Sequence, residues 1–146
     1  MTSPEIRIIG LTGMPEMRDG DDVAALIIEA AGRGPAVESG DVIVVTQKIV
    51  SKAEGRLVSL DSVTPSAEAE RLAVETEKDP RLVELILRES NGIVRQRGPV
   101  LITETRHGFV CANAGIDASN VGPEGIVCLL PEDPDRSAQA IREAIK

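Results

Sequence analysis

Residues 107–125, HGFVCANAGIDASNVGPEG, combine a run of small residues with polar side chains that could hold a ligand. The small residues let a ligand approach the backbone, while Asn113, Asp117, Ser119 and Asn120 supply oxygens and amides. One carboxylate among such groups is typical of Mg²⁺, which completes its shell with phosphates and water. The same residues are equally typical of a turn in which Asp117 and Asn120 accept hydrogen bonds from nearby backbone N–H groups. The residue types alone leave both interpretations open.

A second polar stretch, VVTQKIVSKAEGR at 44–56, places Gln47, Lys48 and Lys52 directly after an apolar run. Ligands of open α/β sheets commonly bind beyond the carboxyl end of such a strand. On a short helix, Lys48 and Lys52 would share a face and offer two ammonium groups to phosphate oxygens. A solvated basic turn explains the stretch equally well.

Other stretches give weaker signals for chemistry. The acids of GMPEMRDGDD, residues 13–22, match neither an EF-hand nor a P-loop, and Asp21 and Asp22 are well explained by a helix start. His107 is the only histidine, and we expect it to be a packed or surface residue rather than a catalyst. The sequence contains no Walker motif, nucleophile elbow, HExxH pair or zinc-ligand spacing.

The elements that must position these residues follow from apolar periodicity and capping signals. Apolar runs bounded by Gly, Pro or charged residues predict strands at 6–11, 41–46, 56–60, 92–95, 99–104, 107–111 and 125–130. The run at 41–46, DVIVVT, is a continuous stretch of β-branched residues, which predicts a strand buried on both faces. Amphipathic patterns predict helices that begin near Asp21, Ser66, Asp79 and either Asp133 or Asp135. This order predicts an α+β fold, with a mixed sheet and flanking helices in a single domain.

Composition narrows the class of protein. The 146 residues are 42% hydrophobic, which fits one modest core. Aromatic residues make up 1% and the net charge is −8, so we expect no nucleic-acid partner. Cys111 and Cys128 lie in apolar runs without a CxxC spacing, which predicts reduced core thiols. Without a secretory or membrane-spanning pattern, we expect a cytoplasmic protein with no membrane partner.

Five segments occur in an order that resembles a known family. They are GMPEMRDGDD, GDVIVVTQKIVSKAEGR, KDPRLVELIL, RHGFVCANAGIDASNVG and LLPEDPDRSA. Together they resemble the coenzyme F420-0:L-glutamate ligases, also called F420 gamma-glutamyl ligases, over nearly the whole chain. The resemblance implies GTP-dependent addition of L-glutamate to F420-0 through an acyl phosphate, with Mg²⁺ or Mn²⁺ as cofactor and a homodimer as the assembly.

The resemblance also implies roles for particular residues. It implies a GTP-binding set consisting of Met14, Pro15, Glu16, Met17, Gln47, Lys52 and Asn120. It makes Asp117 a metal ligand, assigns no catalytic residue and gives Lys48 no role. The resemblance therefore keeps only one of the two lysines and favours the ligand-binding interpretation of the stretch around Asp117.

One departure from the family pattern limits these expectations. Family members continue after the LLPEDPDRSA segment into a region with an Asp-Thr pair and a Gly-Arg-x-Trp stretch, and this chain contains no Trp. We therefore expect residues 1–146 to be the N-terminal domain of a ligase, with a fused region or a partner chain completing the site. A split-ligase subunit, an inactive GTP- and metal-binding or assembly module, and a fold fragment without function remain alternatives.

Overall fold

The computed structural model describes residues 5–34, 36–118 and 124–146. Within these ranges the helices are α1 Val23–Gly32, α2 Gln47–Ala53, α3 Ala67–Thr76, α4 Pro80–Arg88 and α5 Pro134–Ile145. The strands are β1 Leu57–Ser59, β2 Ser90–Arg97, β3 Val100–Thr105, β4 Val110–Ala112 and β5 Ile126–Cys128. The predicted α+β class is confirmed, and the described strands form two separate antiparallel sheets. No helix in the described part of the chain is long and apolar enough to cross a membrane.

The helices begin where capping residues predicted them. The side chains of Asp22, Ser66, Asp79 and Asp133 each accept a hydrogen bond from a backbone N–H in the first turn of α1, α3, α4 and α5. A side-chain acceptor at this position satisfies a donor that the helix itself leaves without a partner. Local sequence is therefore sufficient to start these four helices.

The smaller sheet pairs β1 with β5, so that Leu57 lies opposite Cys128. Asp117 forms an isolated bridge to Cys128 as well: its N–H donates to the Cys128 carbonyl at 3.0 Å, and the Cys128 N–H donates back at 2.8 Å. Val127 and Leu129, on either side of Cys128, are buried in the main core with Leu60. Asp117 is thus fixed by backbone bonds to a buried strand.

The larger sheet is the meander β2–β3–β4, and a tight turn connects it to Asp117. Asn113 and Ala114 have φ angles of 52° and 55°, and the Ala114 N–H donates to Thr103 Oγ1 at 3.1 Å. At Gly115, φ is 71° and a Cβ would lie 2.9 Å from Leu130 Cδ1. Only glycine fits there without strain and without a clash, so this position fixes the path toward Asp117.

Two of the predicted strands are wrong. Neither 6–11 nor 41–46 forms a strand in the described ranges, and residues 5–10 are exposed throughout. Ile43 and Val45 pack against the core of α1, but Val42 and Val44 are each 86% exposed. The described residues supply a packing layer on only one side of this segment, and a continuous apolar run does not reveal that difference.

Arg56 connects three distant parts of the chain at the junction between α2 and β1. Its guanidinium donates to Glu89 Oε2 at 2.9 Å, to the Leu130 carbonyl at 2.9 Å and to Glu132 Oε1 at 3.4 Å. The side chains of Arg56 and Glu89 are only 17% and 13% exposed. Because the planar fork of arginine serves several acceptors at once, one residue holds α2 relative to α4 and the 130–132 segment.

We expect Arg56→Lys to lower the free energy of unfolding by about 2 kcal/mol, because a single ammonium cannot reach all three acceptors and leaves Glu89 poorly paired. Urea unfolding followed by circular dichroism measures the change. Arg71→Lys is the matched control, since Arg71 pairs with Glu75 on the surface of α3 and both side chains are largely exposed. The free energy of unfolding of the control should change by less than about 0.5 kcal/mol. Equal effects of Arg56→Lys and Arg71→Lys would contradict the role of Arg56.

Glu84 connects α4 to the start of α3. Its carboxylate accepts a hydrogen bond from the Ser66 N–H at 2.8 Å and from Arg88 at 2.8 Å, and Glu84 is buried. The hydroxyl and backbone N–H of Ser66, together with Arg88, hold the pKa of the Glu84 carboxyl below its ordinary value of 4.5. The ionised form therefore stabilises the fold above this value, and that contribution is lost as the pH falls through the lowered pKa.

Glu84→Gln is expected to reduce the free energy of unfolding by about 1 kcal/mol at neutral pH, because the amide accepts weaker hydrogen bonds than a carboxylate. The difference in the free energy of unfolding between the unsubstituted protein and Glu84→Gln should narrow as the pH falls below 4.5, the ordinary pKa of a glutamate carboxyl. Chemical unfolding between about pH 7 and pH 3 tests this trend. Glu70→Gln, at an exposed position on α3, is the control. A gap that stays constant down to the lowest pH would count against the stabilising role of the ionised Glu84.

Candidate functional site

The short helix α2 carries Gln47, Lys48 and Lys52, as the sequence allowed. Ser51, in the same helix, is fully buried and accepts a hydrogen bond from Gln47 Nε2 at 3.3 Å. Ser51 therefore marks the inward face of α2. The two lysines lie one turn apart, and each reaches an acid from a different part of the chain.

Lys52 joins α2 to the loop at 13–22. Its Nζ lies 2.6 Å from Glu16 Oε1, and the side chain of Lys52 is only 12% exposed, whereas that of Glu16 is 78% exposed. The hydrogen bond and positive charge of Lys52 lower the pKa of the Glu16 carboxyl. A backbone bond from the Gly20 N–H to the Ala53 carbonyl, at 2.9 Å, fixes the same loop to the end of α2.

The rest of the predicted GTP-binding loop divides between the core and the surface. Met17 is buried against Val23 and Ile27, and Met14 is half-buried against the same cluster. Pro15 and Glu16 are exposed between them. The two methionines anchor the loop to α1, so the exposed Pro15 and Glu16 and the backbone are its accessible parts.

Lys48 pairs with Asp117, the predicted metal ligand. Lys48 Nζ lies 2.6 Å from Asp117 Oδ2, with the two side chains 28% and 33% exposed. The family resemblance gave Lys48 no role, and nothing local in the sequence indicates this pair because the two residues are far apart along the chain. The pairing places the ammonium of Lys48 against a carboxylate beside β5.

A divalent metal bound at Asp117 needs further oxygen, nitrogen or sulfur ligands to complete its coordination. Among the residues that the structure describes, no group of three His, Cys, Asp or Glu side chains could hold a metal ion. A protein-only cage therefore does not fit the described part of the site. A single carboxylate does fit Mg²⁺ bound mainly through substrate phosphates and water, which is how this ion commonly binds with nucleotides.

Cys128 lies beneath the same region. It is fully buried, and burial raises the pKa of its thiol, although Ser51 and the charge of Lys48 act in the opposite direction. The thiol therefore remains protonated near neutral pH and behaves as a core residue, as predicted. Cys111, on β4, is half-buried, and both cysteines are free.

His107 lies at a different place, near the start of α5. Its Nε2 donates to the Glu132 carbonyl at 3.0 Å, and its ring stacks on Phe109 with the centroids 6.1 Å apart. These contacts make it a packed residue, as sequence analysis expected. No described contact connects it to Lys48, Lys52 or Asp117.

The helix α2 thus brings the described candidate residues together. Glu16 binds it through Lys52, Asp117 binds it through Lys48, and Gln47 lies on the helix itself. Asn120, the remaining predicted nucleotide contact, lies outside the described residues. The arrangement can present two ammonium groups and two carboxylates to an anion with an associated cation.

Comparison with known proteins gives the same family as the sequence motifs. Residues 12–146 match the family described as F420-0:Gamma-glutamyl ligase. The chain is 51% identical over 142 residues to the coenzyme F420:L-glutamate ligase of Methanothermobacter thermautotrophicus, covering 97% of this chain and 56% of that protein. It is 50% identical over 143 residues to the enzyme of the same name from Methanopyrus kandleri, covering 98% and 55%. The chain spans little more than half the length of these relatives.

The position of Cys128 predicts unequal reactivity of the two thiols. In a Cys111→Ser variant, we expect Cys128 to react with a disulfide reagent only after unfolding, because burial blocks access and keeps the thiol protonated. In a Cys128→Ser variant, the half-buried Cys111 should react at least about tenfold faster in the native protein. Absorbance of the released thiolate follows both reactions. Rapid labelling of native Cys128 would show that this part of the site is not packed as described.

Proposed function

The chain belongs to the F420-0:gamma-glutamyl ligase family, and on this premise we propose that it contributes part of the GTP and metal site for ligation of L-glutamate to coenzyme F420-0. The single observation that supports this most strongly is the pairing of Lys52 with Glu16 and of Lys48 with Asp117 along one helix. Residues implied in nucleotide and metal binding thereby meet at one place in the fold.

The proposed reaction is activation of a carboxylate followed by amide formation. The terminal carboxylate oxygen of F420-0 attacks the γ-phosphorus of GTP, and GDP leaves, giving an acyl phosphate. The α-amine of L-glutamate then attacks the acyl carbon, phosphate leaves and the nitrogen loses a proton. Phosphoryl transfer of this kind depends mainly on positioning and on neutralisation of phosphate charge.

The residues of the site suit these requirements. A protein with net charge −8 repels a nucleotide unless cations are placed locally, and Lys52 supplies one that is held in place by Glu16. We assign Lys52, Gln47 and the loop Met14, Pro15, Glu16 and Met17 to GTP, together with Asn120 from beyond the described ranges. Asp117 would hold Mg²⁺ or Mn²⁺, which when bound would neutralise charge on the phosphates.

The ion pair of Lys48 with Asp117 affects how a metal could bind this carboxylate. Because it already pairs with Asp117, a metal that binds this carboxylate must share it with the ammonium or displace it. A displaced Lys48 would remain one turn from Lys52, where it could meet the same phosphates. We therefore place Lys48 beside the nucleotide phosphates, although the family resemblance assigned it no role.

The relatives are nearly twice as long as the matched region, so we propose that a further polypeptide region completes the site. We assign the remaining contacts to F420-0, GTP and metal to a fused region or a partner chain, within a homodimeric enzyme of the cytoplasm. A GTP-binding or assembly module without turnover is the second candidate, favoured by the two lysines of α2, which suit phosphate binding on their own.

The decisive experiment reconstitutes the ligase. The chain is mixed with the part of the Methanothermobacter thermautotrophicus ligase outside its match, and F420-0 is followed by mass spectrometry with GTP, L-glutamate and Mn²⁺. We expect the mass of F420-0 to increase by addition of glutamate, and we expect Asp117→Asn to reduce the rate by about 100-fold or more, since the neutral amide is a poor metal ligand. Asp61→Asn is the control, because Asp61 is exposed and pairs with Arg81 instead.

Full activity of the Asp117→Asn variant would reject the metal assignment. Calorimetry with GTP and Mn²⁺ on the reconstituted pair separates the two candidate functions. Binding without turnover would favour the module, and absence of binding would count against both.

A further inference from the structure

Residues 41–46 have no assigned helix or strand, but the exposure of their side chains alternates along the segment. Ile43 and Val45 contact the cluster of α1, while Val42 and Val44 are each 86% exposed. This alternation is the pattern of a half-buried β-strand, in which successive side chains point to opposite faces. Its outer face carries two valines where a solvated strand carries polar residues.

The backbone of this segment is unpaired as well. Within the described ranges, no hydrogen bond involves the N–H or carbonyl groups of residues 42–45. An extended apolar segment with open backbone groups is a template for another strand. The group that pairs with it must offer donors and acceptors at strand spacing, so we expect a polypeptide rather than a small ligand.

The same segment forms one wall of an open cleft of about 1190 Å³. The cleft is also lined by Ala138, Ile141 and Ile145 of α5 and by Phe109, which is 57% exposed. The lining also includes the charged side chains of Glu38, Asp135 and Arg142, and an apolar patch beside polar residues is a common feature of protein interfaces. The cleft and the unpaired backbone are continuous and define one docking surface.

We propose that this docking surface receives a β-strand from the part of the ligase that the relatives carry beyond their match to this chain. The strand pairs with the backbone of residues 42–45 and inserts alternate apolar side chains into the cleft. Nearly half of each relative lies outside the region that matches this chain, and that length is enough to contain such a strand. The proposal rests on family membership and not on the ligation chemistry.

A second copy of this chain fits the surface less well. Its own 41–46 segment is held against the cluster that α1 shares with Ile141 and Ile145 of α5. That segment could offer an edge and its two outer valines, but its inward side chains are already packed, so it can present only one face to another cleft. A strand from a separate region carries no such constraint.

The test is co-expression of the tagged chain with the unmatched part of the Methanothermobacter thermautotrophicus ligase. We expect the two to co-purify, and we expect the amides of residues 42–45 to exchange hydrogen more slowly in the complex than in the chain alone. Val44→Asp should reduce the recovered partner by about tenfold or more, because the interface would bury an unpaired carboxylate.

Val74→Asp is the matched control, since Val74 is 82% exposed on α3, outside the docking surface. Both variants alter exposed side chains, so their unchanged thermal unfolding as isolated chains serves as the folding check. No co-purification, or equal recovery with both variants, would overturn the proposal. A dimer of the chain alone that Val44→Asp dissociates would instead assign the surface to a second copy. GTP binding by the reconstituted pair is measured separately, so failure at the nucleotide is distinguished from failure of docking.

Discussion

The ion pair between Arg56 and Glu89 is the interaction on which the arrangement of the site depends. Arg56 lies three residues after the end of α2, Glu89 caps the end of α4, and both side chains are largely buried. A charge in such a place is costly without a partner, so the fold that satisfies Arg56 is strongly preferred over arrangements that leave Glu89 unpaired. The additional bonds to Leu130 and Glu132 extend the same constraint to the start of α5.

The position of α2 in turn determines what the two lysines can reach. With Ser51 facing inward, Lys48 and Lys52 project beside the edge of β5 and beside the 13–22 loop. Each ammonium then neutralises one acid in a chain of strongly negative charge. This pairing keeps cations and acids close together without mutual repulsion, and it leaves both able to rearrange around a charged ligand.

The molecule therefore has two contrasting regions. Around Val127, Leu129 and Leu60 the backbone and side chains are satisfied and packed. Along residues 41–46 the inner side chains are packed while the outer side chains and the backbone remain open. A chain that folds around its own core and then associates with another segment needs both a well-packed interior and an open apolar surface.

The sequence by itself determined the local elements and the family. Asp22, Ser66, Asp79 and Asp133 started helices because a cap acts within one turn, and the ordered motifs identified the ligase family. Only the tertiary structure decided that Lys48 pairs with Asp117 and that Arg56 reaches Glu89, because these residues meet through packing between distant elements. The same reason explains the wrong strand at 41–46: an apolar run specifies a tendency to extend and to be buried, but pairing depends on which neighbour lies beside it.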